Sequence, residues 1–288
     1  MQNLVLSVLI FSAINATAIP GTDITIFKLL ATKSATAQSA DRLTLEPTTH
    51  TVQRKGYDNQ PKFIDNHALL FTREIAGQTE IIRWSLGDSK QTQMTETPVS
   101  EYSPTPLAKG QFSVVVAAGE QQSLWIYQDG KALQRVNGPV EPVGYHAWLG
   151  NDVLAMFRLA DPHELVVYSI AKDQMQVVAK NIGRTLISQN TDQLWFTLIE
   201  GDQAFIAQYN HTDGSVQRVT ALPSKREDFA WHPKHGFIAS DGQQLLRWQT
   251  GFEAWQPLVM SKPIALTDLT RIAISPDGTI LALVHQDR

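Results

Sequence analysis

Ten polar and aromatic residues stand beside six short segments that recur along the chain, and their side chains could hold a ligand. They are Asp58, Asn59, Glu101, Tyr102, Tyr145, His146, Arg184, Glu227, Asp228 and Arg271. Carboxylates, guanidinium groups and aromatic rings together offer the ion pairs, hydrogen bonds and stacking surfaces that bind a polar peptide or a sugar. The alternative for each residue is structural, because the same side chains can satisfy backbone groups at strand ends.

Hydrolytic chemistry is the rival interpretation of these positions. Asp58, Glu101 and Asp228 could serve as acid and base if two of them met His146 around a metal ion or a water molecule. The sequence contains no Gly-x-Ser-x-Gly elbow, no glycine-rich phosphate loop and no cysteine. We therefore predict no catalytic residues and no cofactor.

A second histidine pair has the spacing of metal ligands. His232 and His235 are three residues apart, but they fall in a short turn, Trp231 to Gly236, where the two rings need not converge. We expect both to be solvated turn residues, and we predict no metal site.

The elements that carry the ten residues repeat with a nearly constant step. The six anchors of the repeat are Phe63, Pro106, Trp148, Ile187, Trp231 and Ile274. Successive anchors are 43, 42, 39, 44 and 43 residues apart. A step of this size is typical of a four-stranded propeller blade, and the runs after each anchor have the short β-rich pattern of strands. In a propeller the innermost strands line a central channel, so residues at one channel mouth are the natural binding set.

The two ends of the chain complete the repeat. After Ile274 there is room for only two strands, whereas residues 23–29 and 42–53 contain two strands that belong to no other blade. The sequence therefore predicts an all-β, six-bladed propeller whose ring is closed when the N-terminal strands join the C-terminal strands in a shared blade. We place the blades at about 57–100, 101–142, 143–182, 183–225 and 226–267, with the shared blade at 268–288 plus 23–53.

The first residues predict export. An apolar run at 4–11 precedes the small residues Ala16 to Ala18, so we expect a signal peptide at 1–18 and a single propeller domain at 19–288. The apolar run is too short for a transmembrane anchor. The 24 basic and 28 acidic residues are spread along the chain, which argues against nucleic acid as a partner. We expect a periplasmic or secreted monomer.

Three segments carry a resemblance to a known family. Residues 272–278 (Ile-Ala-Ile-Ser-Pro-Asp-Gly), together with 57–63 and 101–104, resemble the WD40-like PD40 repeat of periplasmic TolB-type propellers. The resemblance implies the propeller fold, a periplasmic location and a protein partner. The same repeat also builds propellers of peptidases and of pectin-fragment lyases, and the lyases hold a metal with several inward histidines.

We therefore predict a non-catalytic binding or scaffold propeller that recognises an envelope protein, a peptide or an envelope polymer at one channel mouth. The alternative is an enzyme that processes an envelope carbohydrate or lactone with the channel carboxylates.

Overall fold

The computed structural model describes residues 19–32 and 42–287. The predicted signal peptide at 1–18 lies outside this range. The described residues form six β-sheets arranged as the blades of a propeller. Among the residues that the structure describes, the one helical segment is a short 3-10 turn at Ala108–Gly110.

Blades 1 to 5 are four-stranded antiparallel sheets whose strands follow one another along the chain. Blade 1 contains β3 (Asp58–Phe63), β4 (Ala68–Ile75), β5 (Gln78–Ser85) and β6 (Gln91–Gln93). Blade 2 contains β7 (Ser100–Pro106), β8 (Phe112–Ala118), β9 (Gln121–Gln128) and β10 (Lys131–Arg135). Blade 3 contains β11 (Val143–Leu149), β12 (Val153–Arg158), β13 (Glu164–Ser169) and β14 (Gln174–Lys180). Blade 4 contains β15 (Ile182–Ser188), β16 (Gln193–Glu200), β17 (Gln203–Asn210) and β18 (Val216–Ala221). Blade 5 contains β19 (Phe229–His232), β20 (Gly236–Ser240), β21 (Leu245–Trp248) and β22 (Gln256–Pro257).

Blade 6 joins the two ends of the described chain and confirms the predicted closure. Its strands are β1 (Thr22–Thr32), β2 (Arg42–Val52), β23 (Val259–Met260), β24 (Ile272–Ile274) and β25 (Ile280–Gln286), in the order β23-β2-β1-β25-β24. β1 pairs antiparallel with β25 from Thr22↔Gln286 to Lys28↔Ile280. The short strand β23 was not predicted; it pairs in parallel with β2 and adds a fifth strand.

The core consists of six apolar clusters, one at each of the six interfaces between neighbouring blades. Successive side chains of a β-strand point to opposite faces of the sheet, so one strand can pack against both neighbouring blades. In β25, Leu281 and Leu283 pack toward blade 5, whereas Ala282 and Val284 pack toward blade 1. The ring is therefore closed by apolar packing as well as by backbone hydrogen bonds.

The innermost strands of the six blades, β3, β7, β11, β15, β19 and β24, line the channel. Four of these inner strands contain a β-bulge. In blades 1 and 2 the bulge contains Gln60 and Ser103, which have φ angles of 57° and 54°, and each is followed by a proline. The Gln60 Oε1 accepts hydrogen bonds from the Ser103 backbone N–H at 2.7 Å and from Thr72 at 2.8 Å. The bulges of two neighbouring blades are thus fixed to each other, which holds the inner strands in register at the channel.

Candidate functional site at the channel mouth

A cavity of about 340 Å³ lies where the six inner strands end and turn into the second strands of their blades. Every blade contributes to its wall. The lining residues are 60–63, 103–105, 145–146, 184–188, 228–233 and 271–276. Of the ten residues predicted from sequence, the structure brings five to this cavity: Tyr145, His146, Arg184, Asp228 and Arg271.

One lining residue of each blade occupies the same repeat position, three residues before the anchor. This polar ring consists of Gln60, Ser103, Tyr145, Arg184, Asp228 and Arg271. Gln60 and Ser103 were not singled out from sequence, although their equal distance from the anchors would have identified them. The repeat thus places six different polar side chains at one level of the channel.

Arg184 and Asp228 connect blades 4 and 5 within the ring. The Arg184 Nε donates to Asp228 Oδ1 at 3.0 Å, and its Nη2 donates to the other carboxylate oxygen. Burial by itself would raise the pKa of Asp228, but the charge and hydrogen bonds of Arg184 outweigh it and hold that pKa below its usual range. The backbone N–H of Arg184 donates a hydrogen bond to the Glu227 carboxylate at 3.0 Å. The Glu227 carboxylate therefore binds the backbone of blade 4.

Arg271 and Tyr145 span the channel. They belong to blades 6 and 3, which stand opposite each other in a ring of six. The Arg271 Nη2 donates to the Tyr145 hydroxyl at 2.8 Å, and the guanidinium carbon lies 4.9 Å from the centre of the tyrosine ring. This contact forms a bridge across the channel at the level of the polar ring.

Two further lining residues are a lysine and a buried histidine. His146 Nε2 lies 2.7 Å from the Ser113 hydroxyl, which also accepts a hydrogen bond from Trp148 at 2.9 Å. Burial and the nearby charge of Lys62 lower the pKa of His146 to about 3, so this imidazole is neutral at pH 7. Lys62 was not predicted as a site residue; burial lowers its pKa as well.

The other predicted residues lie nearer the beginnings of the inner strands and are not among the residues that line the cavity. Asp58 is fully buried and forms ion pairs with Arg54 at 2.7 Å and Arg73 at 2.6 Å. Burial raises the pKa of Asp58, although both guanidinium groups oppose that shift. The Asn59 side chain donates to Thr22 at 3.2 Å and so ties blade 1 to β1.

Glu101 lies between blades 1 and 2, next to a second carboxyl group. It is fully buried, and its Oε1 accepts from Thr97 at 2.6 Å and from Tyr127 at 3.2 Å. Burial, together with the charge of Glu80, raises the pKa of Glu101 to about 7. The adjacent Tyr102 is half-buried, and burial raises its pKa.

Tyr57 is a neighbour of the polar ring that sequence reasoning missed. Its side chain is 6% exposed, and burial raises its pKa, while the charges of Arg271 and Arg184 oppose this shift. It belongs to the repeat segment 57–63, but it precedes β3 by one residue and nothing in that segment indicated that its side chain lies beside the polar ring.

The expectation that His232 and His235 are solvated is wrong. Both are buried, at 6% and 5% exposure. Their Nε2 atoms donate to the backbone oxygens of Pro276 at 2.9 Å and Gly278 at 2.6 Å, in the Ser-Pro-Asp-Gly turn of blade 6. They therefore join the turns of blades 5 and 6. Within residues 19–32 and 42–287, no group of three or more His, Asp or Glu side chains has an arrangement that could hold a metal ion.

The fold and the cavity define a six-bladed β-propeller with a polar channel mouth. No family model matches the sequence, and no curated protein matches it either. The PD40 assignment of the repeat therefore stays a prediction. In the part of the chain that the structure describes, no helix has the length and apolar character needed to cross a membrane.

Solved structures share this fold at low sequence identity. The chain is similar to a putative TolB from Agrobacterium tumefaciens, with 14% identity, a TM-score of 0.66 and coverage of 94% of this chain and 100% of that one. It is also similar to a gluconolactonase from Xanthomonas campestris, with 12% identity, a TM-score of 0.61 and coverage of 90% and 95%. A chain of a nidogen–laminin complex has 12% identity, a TM-score of 0.57 and coverage of 93% and 100%. The similarity supports the β-propeller fold.

Proposed function

We propose that this protein is an exported, non-catalytic binding propeller that captures a partner from the cell envelope at the channel-mouth cavity. The observation that carries the proposal is the cavity itself, to which all six blades contribute polar and apolar side chains. The apolar run and small residues at 1–18 support export to the periplasm or the exterior. A protein or peptide partner is what the resemblance of the repeat to TolB-type propellers implies.

The arrangement of the carboxylates favours binding over the enzymatic alternative. Asp58 is held by two arginines of blade 1 and its preceding loop, Glu101 adjoins Glu80 between blades 1 and 2, and Asp228 is held by Arg184. Each carboxylate that we considered as acid or base therefore has a separate structural partner, and Asp228 alone of the three lines the cavity. His146 is bound to Ser113 rather than to any of them.

Filling the cavity should abolish capture of the partner. Thr185 lines the cavity and is half-buried, so a Thr185→Trp side chain would occupy the space that the partner needs. Biotinylated protein is incubated with an envelope extract, and recovered proteins and glycans are quantified by mass spectrometry. We expect at least one component to be recovered by the wild type and to fall to background with Thr185→Trp.

The matched control is Thr220→Trp, which adds the same side chain to the outer strand β18, away from the cavity. It should recover the component as well as the wild type. If Thr185→Trp folds with an unchanged circular dichroism spectrum and still recovers every component, the cavity is not the binding site. Recovery of a glycan without protein would favour an envelope polymer as the partner.

A further inference from the structure

The charges around the cavity are unbalanced. Three cationic residues line it, Lys62, Arg184 and Arg271, against one carboxylate, Asp228. Asp228 is already held by Arg184 through two hydrogen bonds. Because His146 is neutral, it does not add to or offset these charges. The cavity therefore has an excess of positive charge in a confined space, where electrostatic attraction is stronger than in open water.

Of the three cations that line the cavity, Lys62 and Arg271 form no ion pair with a carboxylate among the described residues. Across the described ranges, no carboxylate oxygen lies within 4.0 Å of the Lys62 ammonium or the Arg271 guanidinium. Arg271 donates to the Tyr145 hydroxyl through one of its nitrogens. The two cations belong to neighbouring blades, 1 and 6, and line the same cavity. Burial penalises a cation that has no partner, so the cavity is suited to an anion that supplies one.

Apolar side chains form another part of the wall, beside the hydroxyl groups of Thr105, Thr185, Ser188 and Ser275. Phe63, Ile187, Trp231 and Ile274 stand at the ends of the inner strands, and they line the cavity beyond the polar ring. Ile187, Trp231 and Ile274 are only half-buried, so their surfaces are available for contact. A ligand that matches both parts of the wall has an apolar body and a negatively charged end. At about 30 Å³ per water molecule, the cavity has the volume of about eleven waters. It would hold one terminal group rather than a long chain.

We infer that the cavity binds a carboxylate attached to an apolar group, with Lys62 and Arg271 as the counter-charges and the apolar rim around the attached group. The inference rests on the proposed function and names the ligand chemistry of the same cavity. The carboxylate would accept hydrogen bonds from the Arg271 guanidinium beside the bridge to Tyr145. The source of such a group is either a peptide C-terminus or a small apolar acid.

Isothermal titration of the purified protein separates these possibilities. The probes are N-acetyl-Leu-Phe with a free carboxylate, the same dipeptide as its C-terminal amide, and 4-phenylbutyrate. We expect the free acid to bind at least about tenfold more tightly than the amide, because the amide cannot form the charge-assisted hydrogen bonds. Similar binding of 4-phenylbutyrate would assign the site to small apolar acids. Tighter binding of the dipeptide acid would assign it to peptide C-termini.

Variants test the two counter-charges. Lys62→Met and Arg271→Met should each weaken binding of the preferred acid at least about tenfold, whereas Arg271→Lys should retain more of it. Arg218→Met is the control, because Arg218 pairs with Glu200 on the surface of blade 4. If a Met variant fails to fold, the comparison of acid with amide on the wild type and on Arg271→Lys still decides the question.

Equal binding of acid and amide, unchanged binding in both Met variants, or no binding of any probe at millimolar concentration would overturn the inference. These failures differ from failure of the proposed function. If no probe binds but Thr185→Trp still abolishes capture from the extract, the cavity is a binding site for a different chemistry. If Thr185→Trp has no effect on capture, the proposed function itself fails.

Discussion

A disulfide between positions 28 and 280 is expected to raise the free energy of unfolding by up to about 5 kcal/mol, because it closes a loop of about 250 residues in the unfolded chain. Lys28 and Ile280 are directly opposed in β1 and β25. The Leu29 N–H donates to the Thr279 oxygen at 2.7 Å, which makes 28 and 280 a non-hydrogen-bonded pair, the closer kind in an antiparallel sheet. A disulfide is therefore compatible with the backbone.

The chain has no cysteine, so Lys28→Cys/Ile280→Cys would contain the sole pair of thiols. Equilibrium urea unfolding of the oxidised and reduced forms measures the gain, and the reduced form is the internal control. A shorter loop provides a second comparison. Gln193→Cys/Asn210→Cys joins opposed residues within blade 4, where the chain-entropy model gives a smaller gain of about 3 kcal/mol. Failure of the 28–280 pair to oxidise would contradict the closure of the ring.

The second large effect is a dependence of stability on pH that Glu101 produces. Its pKa is raised from 4.5 to about 7 in the folded protein, first by burial and then by the charge of Glu80. Between these two values the folded protein holds a proton that the unfolded chain releases. The free energy of unfolding therefore falls as pH rises from 4.5 to 7, by on the order of 2 kcal/mol, and Glu101 contributes no further fall above that range.

Glu101→Gln should remove this decline, because the amide resembles the protonated acid in shape and remains neutral. Urea unfolding at pH 5 and pH 8 is compared for the wild type, Glu101→Gln and the exposed control Glu253→Gln. We expect a smaller difference between the two pH values in Glu101→Gln alone, together with greater stability than the wild type at pH 8. An unchanged pH dependence in Glu101→Gln would show that folding does not raise the pKa of this carboxyl group.

The closed ring was predictable because its evidence is local and repeated. The anchors recur at a nearly constant step, and two strands at 23–29 and 42–53 had no other blade to join. The parallel strand β23 was not predictable in this way. It pairs through two residues, Val259 and Met260, and so short a pairing leaves no periodic pattern in the sequence.

The site was only partly predictable, because the repeat identifies residues near the channel without showing which mouth contains a cavity. Asp58 and Glu101 come at the beginnings of inner strands, whereas the cavity lies toward their ends. Which channel mouth contains the cavity depends on contacts between residues that are far apart in the sequence. The bridge from Arg271 to Tyr145 joins positions 126 residues apart, and the burial of His232 depends on the turn of the next blade. Neither contact can be predicted from the residues that neighbour it in the sequence.

Hydrogen–deuterium exchange of the protein with and without its captured partner tests the central claim, that the partner binds at the channel-mouth cavity, most directly. We expect slower exchange in 184–188, 228–233 and 271–276, the segments of blades 4, 5 and 6 that line the cavity. The outer strands β14 and β18 should exchange at the same rate in both states. Protection confined to outer strands, with the cavity segments unchanged, would contradict the account.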